Sequence, residues 1–335
     1  MVPLPSAAAA QIDDMAQRAR GALYGLAIGD ALGMPTQMLS RTEIIQRWGG
    51  VITGFEPAPP DHPIAAGKPA GAITDDTEQA VLVGRLLIGG AGRIDARKMA
   101  TALVAWEADM AARGSRDLLG PSTRRAMADV QAGTPPEQAG ANGDTNGAAM
   151  RIAPVGIAVS ATEAGGRIGA GESLATLVDR VVEASRVTHN TGLALAGAAA
   201  VAAAVSAGID GATVPEATEV AVAAARLAAG RGHWVAGADV ASRIEWATGL
   251  TASRPPLAAA ELIYRLVGTS LATQESVPAA FAALSVLPDD PWRACRLAAS
   301  LGGDTDTIAA MAGAIGGACH GLAAFPADAV AVIHA

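Results

Sequence analysis

Two short stretches hold the side chains best suited to chemistry: Thr74-Asp75-Asp76-Thr77 and Gly302-Gly303-Asp304-Thr305-Asp306-Thr307. Each ends a turn-rich segment and precedes an apolar run, from Ala80 and from Ile308. Helix capping alone would account for one such junction, because Thr and Asp are favoured N-caps and acidic residues suit a first helical turn. A second junction of the same kind points further. Carboxylates with flanking threonine hydroxyls, and no thiolate, form a hard oxygen donor set that suits Mg²⁺, Mn²⁺ or Ca²⁺ over Zn²⁺. Crowded together without a cation, these carboxylates would repel one another. Two divalent ions would neutralise them and could activate a water between them.

The elements that must position these groups read as helices. Apolar residues recur at helical spacing over 11–31, 73–88, 95–113, 122–132, 171–185, 191–206, 215–229, 235–247, 257–272, 278–285, 292–299 and 307–322. Gly49–Gly71, with five prolines, reads as an irregular loop, and Gly133–Gly147 as a polar one. Strict alternation of the kind strands need is scarce. The expectation is an all-α, single compact multi-helix domain spanning 1–335, with the N-terminal ~15 residues loose. The acidic turns recur as paired function and not as an internal repeat.

Composition narrows the function further. The chain has 335 residues and a net charge of −8, and its Lys and Arg do not cluster. A nucleic-acid partner is therefore not expected, since a phosphate backbone needs concentrated positive charge. Half of the residues are hydrophobic, Ala the commonest of them, and only 3% are aromatic, so the core must rely on close packing of small side chains. The uncharged run 192–209 has Ala, Gly and Val composition and reads as a buried core helix, with no membrane partner. The N-terminus lacks a basic region followed by an apolar run, and Cys295 and Cys319 form no CxxC pattern, so the expected compartment is the reducing cytoplasm.

At five motifs the chain resembles the ADP-ribosylglycohydrolase family: GALYGLAIGDALG (Gly21–Gly33), TDDT (Thr74–Thr77), NGAAMRIAPVG (Asn146–Gly156), THNT (Thr188–Thr191) and GGDTDT (Gly302–Thr307). They occur in the family's order and span about Arg20 to Leu322. The resemblance implies an all-α fold with a dinuclear Mg²⁺ or Mn²⁺ centre and hydrolysis of the N- or O-glycosidic bond at C1″ of an ADP-ribosyl group. It implies Thr74, Asp75, Asp76, Asp304, Asp306 and Thr307 as metal ligands, with Asp75, Asp76 and Asp304 the carboxylates that carry the chemistry. It places Asp30, Gln37, Asp144, Asn146, Gly147, Met150 and His189 around the substrate, a small molecule or an ADP-ribosylated group.

Two departures bear on that substrate. Four residues after GDALG the family usually carries Glu, and here stands Gln37, whose amide cannot act as a base. If it replaces that Glu, a metal-ligating Asp must take the proton. The loop before Asn146 carries Asp144, a negative charge expected to disfavour a diphosphate and allow a smaller riboside. A non-catalytic ADP-ribose-binding relative is the alternative of another class. Arg151 reads equally as a phosphate or carboxylate contact and as a buried structural ion pair. Trp106, Trp246 and Trp48 read as core, and His62, His233, His320 and His334 as structural or surface residues.

Overall fold

The computed structural model describes residues 7–115, 119–161 and 171–334. Its helices run in the order α1 (Ala7–Gly33), α2 (Arg41–Trp48), α3 (Asp75–Gly89), α4 (Ala96–Ala112), α5 (Pro121–Gln131), α6 (Pro136–Ala139), α7 (Gly147–Met150), α8 (Ala153–Ala158) and α9 (Gly171–Ser185). The second half adds α10 (Gly192–Ile209), α11 (Val214–Ala228), α12 (Val240–Thr251), α13 (Pro256–Leu262), α14 (Thr273–Val286), α15 (Pro291–Ala298), α16 (Thr305–His320) and α17 (Ala327–His334). Among the described residues there is no β-strand; Thr145–Ala272 and Thr191–His233 make isolated bridges only. One large cluster of buried side chains joins the helices, with a small satellite of Met34, Ala58 and Ala65 beside it.

The tightest contact joins α1 to α16. Glycines 21, 25, 29 and 33 recur every four residues and so line one face of α1. A β-carbon at each would collide with the backbone of Gly317, Gly313, Ala309 and Asp306 in turn. The partners count downward as α1 counts upward, so the helices are antiparallel. The C-terminus of α1 therefore lies beside the N-terminus of α16. Thr36, just past α1, locks that end by donating to the Ala299 carbonyl at 2.6 Å and meeting the Thr305 hydroxyl at 2.9 Å.

The apolar helix α10 has 89% of its length buried among other helices. It packs against α11, α16, α8, α7, α9 and α14, and it is a core helix of the fold. Thr191 caps it by accepting from the Ala194 N–H at 3.3 Å.

Several expected boundaries shift for local reasons. α1 begins at Ala7, so the part of the loose N-terminus that lies within the described residues is helical, although residues 11–15 are exposed; residues 1–6 lie outside the described residues. α2 fell in a stretch not expected to be helical, yet Ser40 and Glu43 form a reciprocal capping box that starts it. α14 starts at Thr273, ahead of the expected Pro278, which sits inside the helix. The Gln274 carbonyl that a residue-278 N–H would have reached accepts instead from Arg243 Nε at 2.9 Å. The helix expected over 257–272 breaks earlier, in a π-helical turn (Ile263–Val267) that ends at Gly268 with φ +89°. Trp106 is buried, and its Nε1 donates to Glu78 at 2.6 Å. Trp246 is not core: it is 43% exposed, with the Arg243 guanidinium 5.0 Å from its ring centre.

The glycine seam generates a paired prediction. Gly29→Ala forces backbone apart and should destabilise by about 2 kcal/mol or more in denaturant titration. Gly249→Ala, on an exposed and open stretch of α12, should stabilise by up to ~1 kcal/mol. Equal, small effects at the two sites would show that α1 and α16 do not touch as described.

Candidate active site

The seam sets α16's first turn against the end of α1, and two backbone exchanges fix the loop between them. The Met38 N–H donates to the Gly303 carbonyl at 2.7 Å, and the Gly303 N–H donates to the Leu39 carbonyl at 2.9 Å. The Asp304 N–H in turn donates to the Thr269 carbonyl at 2.8 Å. Gly302 and Gly303 adopt φ of +91° and +81°, a turn that an L side chain would strain. This turn delivers Asp304 as the N-cap of α16 and Asp306 and Thr307 in its first turn.

The second acidic motif is anchored from behind. Asp30, buried in α1, accepts from the Thr74 N–H at 3.0 Å, the Thr77 N–H at 3.1 Å and the Thr77 hydroxyl. Burial pushes its carboxyl up to about 6 against the lowering effect of those hydrogen bonds. Asp30 therefore holds the start of α3 and is absent from the lining of the cavity in front of the cluster, where a substrate contact was expected. Thr74 caps α3, and its hydroxyl donates to Asp76 Oδ2 at 3.2 Å. The Thr307 hydroxyl reaches the same oxygen from α16 at 3.3 Å.

The two motifs thus meet at Asp76. Its Oδ1 is buried and has no hydrogen-bond partner. Burial, followed by the charges of Asp306, Asp75, Asp30 and Asp304, raises its carboxyl well above the ordinary range. Among the described residues no three acidic, histidine or cysteine side chains are already gathered into a coordination sphere. The chemistry of the donor set nevertheless fits a hard divalent cation. Buried oxygens converge from two loops, one carboxylate oxygen has no donor, and the mutual repulsion is of the kind a cation relieves.

A cavity of about 220 Å³ opens in front of this cluster. Asp75, Asp304, Asp306 and Thr307 line it on the acidic side, and Gln37 and Met38 follow from the end of α1. Thr145, Asn146, Gly147 and Met150 form another wall, and Leu119, Pro121, Thr123 and Arg124 a further one. Gln37 is 3% exposed, and its Nε2 is buried without a partner. Both amide protons of Asn146 are engaged, by Asp304 Oδ2 at 2.5 Å and Ser276 Oγ at 2.9 Å, so its side chain positions Asp304.

Two more expected contacts lie elsewhere. His189 is fully buried behind Gly147, where a β-carbon would come within 2.9 Å of its ring, and it does not reach the cavity. Asp144 is exposed and absent from the lining; its carbonyl accepts from Thr273, so its charge does not enter the wall. Arg151 is held from inside the fold, and the Asp75 carboxylate favours its charge electrostatically. Arg151 is fully buried and donates to Gln79 and Thr188. Leu119, Gly120, Pro121, Thr123, Arg124, Ile64 and Leu271 carried no signal in sequence, because they reach the cavity only through tertiary packing. Gln79, which donates to Asp75 Oδ2 at 3.1 Å, was legible as the residue one helical turn after Asp75.

Residues 11–335 match the ADP-ribosylglycohydrolase family. The chain belongs to that family. It is 35% identical to the uncharacterized protein YegU of Escherichia coli (strain K12) over 307 residues, covering 91% of this chain and 88% of that protein. It is 30% identical to the ADP-ribosyl-[dinitrogen reductase] glycohydrolase of Rhodospirillum rubrum over 181 residues, covering 52% of this chain and 51% of that one. A solved ADP-ribosylglycohydrolase-related protein complex shares the fold with a TM-score of 0.63 and 24% identity, covering 96% of this chain and 99% of that chain. The family is one of glycohydrolases, and the all-α expectation holds.

The electrostatics of the acidic cluster predict a trade of stability for binding. Asp76→Asn should stabilise the metal-free protein by about 1–2 kcal/mol, seen as a higher melting temperature, because it removes a buried carboxyl that its acidic neighbours disfavour in the charged form. Millimolar Mg²⁺ or Mn²⁺ should stabilise the parent protein and leave this variant unchanged. Thermal melts with and without chelator check both. A destabilised variant that still responds to metal would refute the assignment.

Proposed function

We propose that this chain is a divalent-metal-dependent glycosidase that hydrolyses the C1″ bond of an ADP-ribosyl conjugate. The observation that carries the reading is the convergence of both acidic motifs on one cavity within a fold of this family. Thr74, Asp75, Asp76, Asp304, Asp306 and Thr307 would hold two Mg²⁺ or Mn²⁺ ions. Those ions would supply charge neutralisation and acidify a water.

The chain's own groups supply the rest. Asp75 and Asp304 face the cavity, where negative charge favours the oxocarbenium character that develops at an anomeric carbon. Asn146 fixes the Asp304 carboxylate and Gln79 fixes Asp75, which limits the reorganisation needed in the transition state. The Gln37 amide can donate a hydrogen bond but cannot take a proton, so the proton of the attacking water passes to a carboxylate of the cluster. Arg124 brings positive charge to the wall, and the Asp144 charge stays outside it, which favours an anionic phosphate-bearing substrate.

A smaller riboside is the second reading, and the cavity's volume favours it: about 220 Å³ lies below the range of ~300–1,000 Å³ usual for drug-sized ligands. Partners are a small-molecule or ADP-ribosylated substrate, and neither nucleic acid nor membrane. A cytoplasmic setting is supported by two buried free cysteines and by the burial of α10.

A hydrolysis screen with Mg²⁺ or Mn²⁺ should release ADP-ribose from ADP-ribosyl-arginine or ADP-ribosyl-serine, and Asp304→Ala should cut the rate by at least about 100-fold. Release of ribose from plain ribonucleosides alone would establish the smaller substrate. No turnover of any of them would sink the proposal and favour an untested riboside or a binding-only protein.

A further inference from the structure

A continuous chain of hydrogen bonds runs through the interior and joins two separate points of the cavity wall. It starts at Asp75 Oδ2, which accepts from Gln79 Nε2 at 3.1 Å. Gln79 Oε1 accepts from Arg151 Nη1 at 2.6 Å, and Arg151 Nη2 donates to the Thr188 hydroxyl at 2.6 Å. That hydroxyl lies 2.7 Å from His189 Nδ1, and His189 Nε2 lies 3.0 Å from the Thr145 hydroxyl. Asp75 and Thr145 both line the cavity; Gln79, Arg151, Thr188 and His189 are all buried.

The direction of each bond follows from one residue. A guanidinium can only donate. Gln79 must therefore turn its carbonyl oxygen toward Arg151, which leaves its NH₂ for Asp75. Thr188, having accepted from Arg151, has one proton to give. His189 Nδ1 at 2.7 Å is a far better acceptor than the Ser185 carbonyl at 3.4 Å. His189 Nδ1 thus carries no proton. Burial and the nearby Arg151 charge push the imidazole well below its ordinary range, so it is neutral and bears its single proton on Nε2. Nε2–H donates to the Thr145 oxygen, and the Thr145 proton is left to point into the cavity.

We propose that Arg151 is a positioning residue that fixes hydrogen-bond polarity at two points of the cavity, and that Thr145 is a substrate-binding residue whose hydroxyl donates to an acceptor oxygen of the substrate. The second half rests on the cavity being the substrate site; the first does not.

The test begins without substrate. Nitrogen-15 NMR of the full-length protein reads the His189 tautomer directly. The relay requires the Nε2–H form throughout the neutral pH range. The Nδ1–H form, or an imidazolium at pH 7, overturns it. Thr188→Val should leave His189 populating both tautomers, and Thr188→Ser should restore the single form; a tautomer unchanged in Thr188→Val shows that the relay does not set it. With ADP-ribose and Mg²⁺ as the probe, Thr145→Val should weaken binding about tenfold and Thr145→Ser should stay within about twofold of the parent. Unchanged affinity in the folded Thr145→Val protein overturns the role of Thr145. If the parent protein binds no ADP-ribose, the substrate reading fails, and the tautomer still decides the relay.

Discussion

With glycine at positions 21, 25, 29 and 33, α1 lies backbone to backbone against α16, and that approach sets the geometry of everything around the cavity. It brings the end of one helix to the start of the other, so that residues more than 260 positions apart are joined through the Met38–Gly303 and Gly303–Leu39 hydrogen bonds. An alanine-rich interior follows the same logic. Small side chains let α10 pass through the middle of the bundle with neighbours on every side. A protein with so few aromatic residues gains its core from many short contacts instead of a few large ones.

The acidic cluster works against that packing. Asp76 is buried among carboxylates that raise its proton affinity, and its nearest support is two threonine hydroxyls. Asp30 holds the Thr74–Thr77 turn from below through three donors, and Asn146 holds Asp304 from the side. Asp30 and Asn146 thus have their hydrogen bonds made, while the front face retains an Asp76 oxygen and the Gln37 Nε2 buried without a partner. Such a division is what a binding site for cations and polar substrates needs, since preorganised charge strengthens binding at a cost in stability.

Much of this was legible before the structure. The helices follow from apolar spacing, and the acidic junctions announced themselves as a repeated Thr-Asp pattern at helix starts. Asp30, His189 and Asp144 show where sequence stops. Their motifs mark them as near the site, but the direction a side chain takes from a helix or loop is decided by packing. Asp30 faces the backbone of α3, His189 faces Arg151's network, and Asp144 faces solvent. The Leu119–Arg124 wall had no local signature at all, because it joins the cavity only through the docking of α5. The Ser40–Glu43 capping box was readable as a Ser followed three residues later by Glu, and it marks the start of α2.

The most direct test of this account is a Mn²⁺ titration of the metal-free protein followed by electron paramagnetic resonance. If the α1–α16 seam assembles both acidic motifs into one centre, the protein binds two Mn²⁺ ions close enough to couple magnetically, and replacing either Asp76 or Asp304 with Asn abolishes the coupled signal. Binding of a single isolated ion, or of none, would contradict it.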